Sequence, residues 1–320
     1  MLKIKFCDFW PGFDRSDNLF INYFRELTEV ELSDKPDILF FSVFGYKHLN
    51  YNCKKVFFTG ENVRPDFRFC DYALSFDYDD NSRNYRLPLY ALCDDPKKLL
   101  QSKNPQEILR EKTKFCNFIY SNPVNKVRND FYKKLSKYKK IDSGGRVFNN
   151  MKVGNGKFRI PDKREFIKDY KFTIAIENGF YNGYTREKIF EPMLENSLPI
   201  YMGNEFIGKD FNTNSFLNFH DYDSIEQFID KIIEVDNNDE LYMSYFKEPY
   251  FKNNEINEYI RKENVLKFFS KIKNDDVKLI TDKYSGLHRT IIDNNKKISY
   301  YYNFLKTKVQ RFSIEKFKFI

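Results

Sequence analysis

Glu61 is the first residue whose type and position could carry chemistry. It follows a short apolar run at residues 55–59, where the chain turns through Gly60. A carboxylate at the exit of a buried strand can take a proton from a substrate hydroxyl, provided that partial burial raises its pKa. The simpler alternative is a turn glutamate that pairs with nearby Arg64, and this segment alone favours that alternative.

A second candidate site is a loop rich in glycine and asparagine that follows a predicted strand at 171–177. A predicted helix at 185–196 comes next, for which Thr185 is a suitable N-cap. Backbone N–H groups and the positive end of a helix suit phosphate oxygens, and Lys188 adds a full charge. Glu187 beside it can accept hydrogen bonds from sugar hydroxyls. The loop lacks the P-loop pattern, and a capped helix with ordinary surface charges is the alternative.

Arg128 lies shortly after another predicted strand, at 115–121, and its guanidinium could bind a diphosphate through two hydrogen bonds. Taken by itself, such a residue is more often a surface arginine. Two Asp-Tyr-Asp strings, at 77–79 and 221–223, are similar to the metal-binding DxD of some nucleotide-sugar enzymes. Neither lies in the strand–loop–helix context of a phosphate site, so both are interpreted as structural and no bound metal is predicted.

The elements that would position these residues alternate between strands and helices. The first set ends before a polar segment at 94–115, which contains two prolines and marks a domain boundary. Strand–helix–strand order implies parallel pairing, and two such units predict two Rossmann-like domains that face each other across a cleft. The loops after residues 59, 121, 177 and 201 are expected to line that cleft. The predicted strands are 2–6, 37–42, 55–59, 115–121, 171–177 and 198–203, and the predicted helices are 18–32, 127–138 and 185–196.

Composition and charge exclude several classes of protein. The 320 residues are 41% hydrophobic and 18% aromatic, contain no apolar run long enough for an ordinary transmembrane helix, and become polar too early for a secretory signal. We therefore expect a soluble, cytoplasmic protein. Five scattered cysteines predict reduced, mostly buried thiols. Of the net charge of +8, residues 276–320 carry +6, so the nearly neutral remainder disfavours a general nucleic-acid binder.

The basic C-terminal segment, 276–320, contains a stripe of apolar residues at helical spacing, from Ile298 to Phe312, surrounded by lysines. Such an amphipathic helix can lie on an anionic membrane surface, which would place the protein at the inner face of the membrane. The alternative is a helix that packs on the body of the protein and exposes its lysines to solvent. The sequence leaves both interpretations open.

Three collinear segments resemble glycosyltransferase family 10, the α-1,3/1,4-fucosyltransferases, and in particular the soluble bacterial-type members. The segment at 56–78, followed by "RLPLY", resembles the acceptor-side block of that family, and the segment at 118–150 resembles its middle block. The segment at 170–203 is similar to the donor-binding signature F-x-x-x-x-E-N…Y-x-T-E-K…P-x-Y-x-G. One departure is Arg186, which stands where the family tends to have threonine.

The resemblance implies a GT-B fold with an acceptor-binding domain at 1–110, a GDP-fucose-binding domain at 111–275 and the basic helical tail at 276–320. It implies that Glu61 is the general base of an inverting transfer that needs no metal and no cofactor. Arg128 and Lys188 match the cations that bind the donor diphosphate. The remaining matches to donor contacts are Asn178, Tyr184 and Glu187, the last of them on the ribose.

The function that follows is transfer of L-fucose from GDP-fucose to the 3-hydroxyl, or the 4-hydroxyl, of N-acetylglucosamine in an N-acetyllactosamine-like glycan. The physical argument is that charge builds on the departing phosphate, and fixed cations can stabilise it. One alternative keeps the GT-B fold and uses a different nucleotide-sugar donor. Another is a non-catalytic basic module that binds an anionic membrane or nucleic acid through its tail.

Overall fold

The computed structural model describes residues 1–79, 81–151 and 163–276. The chain divides into two compact units. The first comprises Met1–Leu92 and the segment that begins at Glu258, and the second comprises Cys93–Asn257. From residue 277 onward, the predicted basic tail lies outside the described residues.

Strands and helices alternate through most of the described chain. The strands are β1 (Leu2–Cys7), β2 (Val30–Leu32), β3 (Ile38–Phe41), β4 (Lys54–Phe58), β5 (Tyr72–Ser75), β6 (Asn84–Arg86), β7 (Lys114–Phe118), β8 (Ile141–Ser143), β9 (Tyr170–Ile176), β10 (Leu198–Met202) and β11 (Leu217–Asn218). The helices are α1 (Leu19–Arg25), α2 (Pro105–Glu111), α3 (Lys126–Leu135), α4 (Lys163–Ile167), α5 (Glu187–Leu194), α6 (Ile225–Asp236), α7 (Asp239–Lys247) and α8 (Lys262–Asn274). None of the helices described is long and apolar enough to cross a bilayer.

The first unit is built on a parallel sheet of six strands in the order β2-β1-β3-β4-β5-β6. Strands β3, β4 and β5 are buried along nearly their whole length, as expected for continuous apolar runs covered on both faces. The strand order reverses between β1 and β3, because β2 lies on one side of β1 and all later strands lie on the other. Such a switch point leaves a crevice at the carboxyl ends of the strands.

The second unit is built on a parallel sheet of five strands in the order β11-β10-β9-β7-β8. Its direction of growth reverses between β7 and β9, so this sheet also has a switch point. Aromatic and aliphatic side chains of the sheet and of α3 and α6 form one core, in which the ring of Phe131 lies 5.8 Å from that of Phe228. Two parallel α/β units confirm the predicted fold class.

All six predicted strands are present, and their ends differ from the prediction by three residues or fewer. The predicted helix at 18–32 is too long. It ends at Arg25, and Val30–Leu32 forms the edge strand β2, which pairs in parallel with β1. Val30 and Leu32 alternate with Glu31 at the two-residue period of a strand. The predicted helix wrongly includes these three residues.

The division of the chain differs from the predicted boundaries at residues 110 and 275. Helix α8 belongs to the first unit because its Phe269 ring lies 4.9 Å from Phe24 of α1. Helix α2 belongs to the second unit because its Ile108 is buried in the core of that unit. In both cases tertiary burial of one apolar face decides the assignment, which local composition does not reveal.

The cysteine prediction is confirmed. All five cysteines are reduced thiols, of which four are buried and Cys93 is exposed. Burial raises the pKa of the Cys53 thiol to about 11, so this group is protonated and inert near neutral pH.

Candidate functional site

The switch point of the second unit brings the loop after β7 against the loop after β9. Asn125 Nδ2 donates a hydrogen bond of 3.0 Å to the backbone oxygen of Glu177. Arg128 Nη1 donates one of 2.8 Å to Asn178 Oδ1. Because both bonds cross between the ends of neighbouring parallel strands, they fix the geometry of the place where ligands bind in such sheets.

Arg128 is buried, with 1% of its surface exposed, so the interpretation of it as a surface arginine is wrong. It lies in the first turn of α3, whose N-cap Asn125 accepts a hydrogen bond from Arg128 N. The guanidinium carbon lies 3.9 Å from the centroid of the Tyr120 ring, and Nη2 donates to the backbone oxygen of Asn122. A cation held by a ring, a carbonyl and an amide is preorganised rather than mobile.

Glu177 joins the end of β9 to the start of α5 through both of its carboxylate oxygens. Its Oε1 accepts from Arg186 N at 2.7 Å, and its Oε2 accepts from Lys188 Nζ at 3.0 Å. The residue is fully buried. The sequence analysis places Glu177 at the end of a predicted strand and assigns it no role. An acidic residue directly after an apolar strand is nevertheless a sequence signal of a functional position.

The predicted N-cap, Thr185, is wrong. The N-cap of α5 is Arg186, which makes no side-chain capping bond, and the acceptor at this helix end is the Glu177 carboxylate. Thr185 Oγ1 instead donates to Asp210 Oδ2 at 2.9 Å. The buried Glu177 carboxylate thus accepts the backbone hydrogen bond that a threonine hydroxyl usually accepts at a helix N-terminus.

Lys188 lies between two carboxylates. Its Nζ is 3.0 Å from Glu177 Oε2 and 3.3 Å from Glu187 Oε1, while Glu187 Oε2 is 3.3 Å from Arg186 Nε. Burial would raise the pKa of the Glu187 carboxyl, but Lys188 and Arg186 outweigh it and hold that pKa well below its usual range. Glu187 is therefore an ionised acceptor at neutral pH.

Tyr184 completes the cluster on the loop before α5. It is buried, and its hydroxyl accepts a hydrogen bond of 3.2 Å from Arg186 Nη1. Asn204, which follows β10, fixes the same loop because its Oδ1 accepts from Gly183 N at 2.7 Å. The structure thus places five of the predicted site residues in one group at the switch point: Arg128, Asn178, Tyr184, Glu187 and Lys188.

Glu61, the sixth predicted residue, lies in the first unit in the turn that follows β4. It is half-buried, and its backbone forms a tight turn in which Glu61 N donates to Thr59 Oγ1 at 3.0 Å and Val63 N donates to Glu61 O at 2.7 Å. Arg64, the expected partner of Glu61, forms an ion pair with Asp77.

In residues 1–79, 81–151 and 163–276, no group of three or more histidine, cysteine, aspartate or glutamate side chains is arranged to hold a metal ion. The two acidic residues around Lys188, Glu177 and Glu187, form ion pairs with it instead.

Gly145 supports the Arg128 side of the site. A Cβ atom at this position would lie 2.2 Å from the backbone oxygen and 2.4 Å from the backbone nitrogen of Tyr120. We therefore expect Gly145→Ala to displace the Tyr120 segment, to lower the free energy of unfolding by about 1–3 kcal/mol and to weaken GDP binding. Urea unfolding and calorimetric titration with GDP measure the two effects.

Gly208→Ala is the matched control, since the nearest atom to a Cβ there would be Thr213 Cγ2, at an ordinary contact distance of 3.5 Å. Its stability and GDP affinity should equal those of the unsubstituted chain. If Gly145→Ala behaves like this control, the close approach to Tyr120 does not position the site.

Comparisons with known proteins agree on one family. Residues 4–93 match the family model of the alpha-(1,3)-fucosyltransferase FucT N-terminal domain, and residues 109–279 match that of the glycosyltransferase family 10 (fucosyltransferase) C-terminal region. An alpha-(1,3)-fucosyltransferase FucT of Helicobacter pylori is 34% identical over 220 residues, which are 58% of this chain and 45% of that protein. The chain thus spans less than half the length of this curated relative.

Solved structures give the same result for the fold. A crystal structure of an alpha1,3-fucosyltransferase superimposes with a TM-score of 0.74 at 26% identity, covering 86% of this chain and 91% of that one. A second crystal structure, of alpha1,3-fucosyltransferase with GDP-fucose, gives a TM-score of 0.71 at 25% identity with the same coverage.

Proposed function

The chain belongs to glycosyltransferase family 10, the fucosyltransferases, and from that premise we propose that it transfers L-fucose from GDP-fucose to a glycan. The acceptor group in this proposal is the 3-hydroxyl, or the 4-hydroxyl, of an N-acetylglucosamine unit. The observation that carries the proposal is the cluster of fixed cations and two carboxylates at the switch point of the second unit.

The donor diphosphate is assigned to Arg128 and Lys188. The guanidinium of Arg128 is already oriented by Asn178 and Tyr120, so binding a phosphate costs little reorganisation. The ammonium of Lys188 has three N–H donors, of which two are directed at Glu177 and Glu187. We assign the third donor to a phosphate oxygen.

The donor ribose is assigned to Glu187. A ribose offers two hydroxyl donors, and a carboxylate that stays ionised can accept from both. The cations that lower the pKa of Glu187 keep it in this accepting form. Its place beside Lys188 on α5 allows one short segment to contact both the sugar and the phosphate of the nucleotide.

Transfer with inversion requires one base and one stabilised leaving group. In this mechanism the acceptor hydroxyl oxygen forms a bond to C1 of fucose, and its proton passes to the Glu61 carboxylate. The bond from C1 to the phosphate oxygen breaks, and GDP leaves with the electron pair. Arg128 and Lys188 stabilise the negative charge that develops on that phosphate.

A panel of donors tests the proposal. We expect GDP-fucose to raise the unfolding temperature more than GDP-mannose or UDP-sugars do, because a ligand at 100 times its Kd stabilises the folded state by about 2.7 kcal/mol. A transfer assay with GDP-fucose and N-acetyllactosamine, run with and without EDTA, should give product in both cases.

If another nucleotide sugar raises the unfolding temperature more than GDP-fucose does and is also used for transfer, the donor in the proposal is that nucleotide sugar and not GDP-fucose. If transfer occurs only without EDTA, the metal-independent part of the proposal fails and a cation has to be assigned. If no donor shifts the unfolding temperature, the second unit is not a nucleotide-sugar site.

A further inference from the structure

The first unit contains a cavity of about 530 Å³ that the proposed chemistry does not use. It lies along β1 and beside the residues that follow β2 and β3, next to the switch point of this sheet. This volume lies within the range of small-molecule sites. Its charged and aromatic lining includes Lys5, Asp8, Arg15, Asp34, Lys47 and Tyr51.

Asp8, one of the residues that line this cavity, forms a buried pair with His48. Asp8 Oδ2 lies 2.8 Å from His48 Nδ1 and accepts from His48 N at 2.9 Å, and its Oδ1 accepts from Lys47 N at 3.1 Å. Burial would raise the pKa of Asp8, but its hydrogen bonds to His48 lower it. Asp8 is therefore an ionised carboxylate, and both of its oxygens already accept hydrogen bonds from Lys47 and His48.

The segment after β3 is shaped around that carboxylate. Asp8 itself has a φ of 58°, a left-handed conformation that non-glycine residues seldom adopt. A Cβ on Gly45 would lie 2.4 Å from Asp8 Oδ1, so the close approach requires glycine. This construction holds Lys47 at the cavity in a defined place, and strained backbone of this kind is typical of functional sites.

The remaining charges make the cavity positive. Lys5 is paired with Asp34, whose side chain is exposed. Arg15 and Lys47 form no ion pair with any residue in 1–79, 81–151 or 163–276. Two lining cations are therefore available to a ligand, while the acidic lining residues, Asp8 and Asp34, have partners.

Aromatic side chains border the same cavity. Phe44 lines it although 48% of its surface is exposed, and Tyr51 lies beside Lys5, with 5.7 Å between the Lys5 Nζ and the ring centroid. Sugar rings offer C–H groups to aromatic faces and hydroxyls to charged side chains. Aromatic rings together with Arg15 and Lys47, which form no ion pair within the described residues, favour a sugar that carries negative charge.

We propose that this cavity binds an anionic saccharide, a sugar with a carboxylate or phosphate group, as part of the glycan acceptor. The acceptor role rests on the proposed fucosyl transfer, whereas the binding itself does not. Arg15 and Lys47 would contact the anionic group, and Phe44 and Tyr51 would contact the ring.

Calorimetric titration of the full chain without GDP-fucose tests the binding. The probes are N-acetyllactosamine, the same disaccharide with sialic acid on the galactose O3, N-acetylglucosamine 6-phosphate and inorganic phosphate. We expect a charged saccharide to bind at least about tenfold more tightly than N-acetyllactosamine. The double variant Arg15→Gln/Lys47→Gln should lose that difference and keep the neutral affinity.

The control is Lys3→Gln/Lys35→Gln, which removes two positive charges from the same unit outside the cavity lining. It should retain the preference for the charged sugar. Preference for the sialylated or the phosphorylated probe identifies the anionic group.

Equal affinity for the neutral and charged probes would overturn the inference, as would an equal loss in both double variants. Binding of inorganic phosphate as tight as that of the charged sugars would overturn the saccharide part. If charged sugars bind selectively but no acceptor is fucosylated, the proposed function fails while the binding site stands.

Discussion

Glu61→Gln is expected to reduce the turnover of fucosyl transfer by about 10²–10⁴-fold, the contribution typical of general base catalysis. Glutamine has the shape of glutamate but cannot accept the proton of the acceptor hydroxyl. The turn should persist in the variant because Glu61 N still donates to Thr59 Oγ1 and Glu61 O still accepts from Val63 N, and the substitution changes neither backbone atom. The affinity for GDP-fucose should also persist, since the donor is assigned to the second unit.

Steady-state kinetics and calorimetric titration with GDP measure these two quantities separately. Asp66→Asn serves as the matched control, because Asp66 is a carboxylate of the same segment whose ion pair with Arg68 is exposed. Its turnover should stay within a few-fold of the original. If Glu61→Gln retains more than a tenth of the turnover and unfolds at the original temperature, Glu61 is not the base.

The parts of the site that follow from local pattern could be predicted from the sequence. Strands that end in polar residues locate the loops, and the common edge of a parallel sheet then groups Arg128 with Lys188. The order of strands and helices is sufficient for this grouping, without any side-chain contact.

The role of Glu177 could not be predicted in the same way. Strand periodicity indicates that a residue follows an apolar run, but not that its carboxylate turns toward the next helix. The bond from Arg186 N to Glu177 Oε1 depends on the path of the whole connecting loop. Thr185 was the natural candidate for the helix cap, and only the tertiary contact with Asp210 shows why it is not.

The first unit shows a similar limit at longer range. Helix α8 follows the second unit in the sequence but packs its Phe269 on Phe24 of α1. No local signal at residues 258–276 reports which sheet will receive the apolar face. The cavity beside Asp8 is also a product of tertiary structure, since Lys47 N donates to Asp8 Oδ1 from a position 39 residues further along the chain.

Lys188→Met is expected to have two separate effects. It removes a cation assigned to the leaving phosphate, which should reduce turnover by about 10²–10³-fold. It also leaves the fully buried Glu177 carboxylate without its cation, which should lower the free energy of unfolding by about 3–5 kcal/mol. The single variant therefore cannot separate a role in donor binding from a role in structure.

The double variant Glu177→Gln/Lys188→Met separates them. Glutamine removes the buried charge but can still accept from Arg186 N, so most of the lost stability should return. Turnover and GDP affinity should remain low, because no ammonium is restored. Lys171→Met is the control, since it breaks an ion pair with buried Asp236 in the same unit and should reduce stability without changing turnover.

Chemical denaturation, GDP titration and steady-state kinetics on the three variants give the decisive comparison. If Lys188 binds the phosphate, the double variant should recover stability while its turnover remains low. If both recover together, Lys188 serves only to neutralise Glu177, and Arg128 is left as the assigned cation of the leaving group. Because the Glu177 carboxylate contacts both Lys188 and the start of α5, this pair joins the proposed phosphate contact to the N-terminus of that helix.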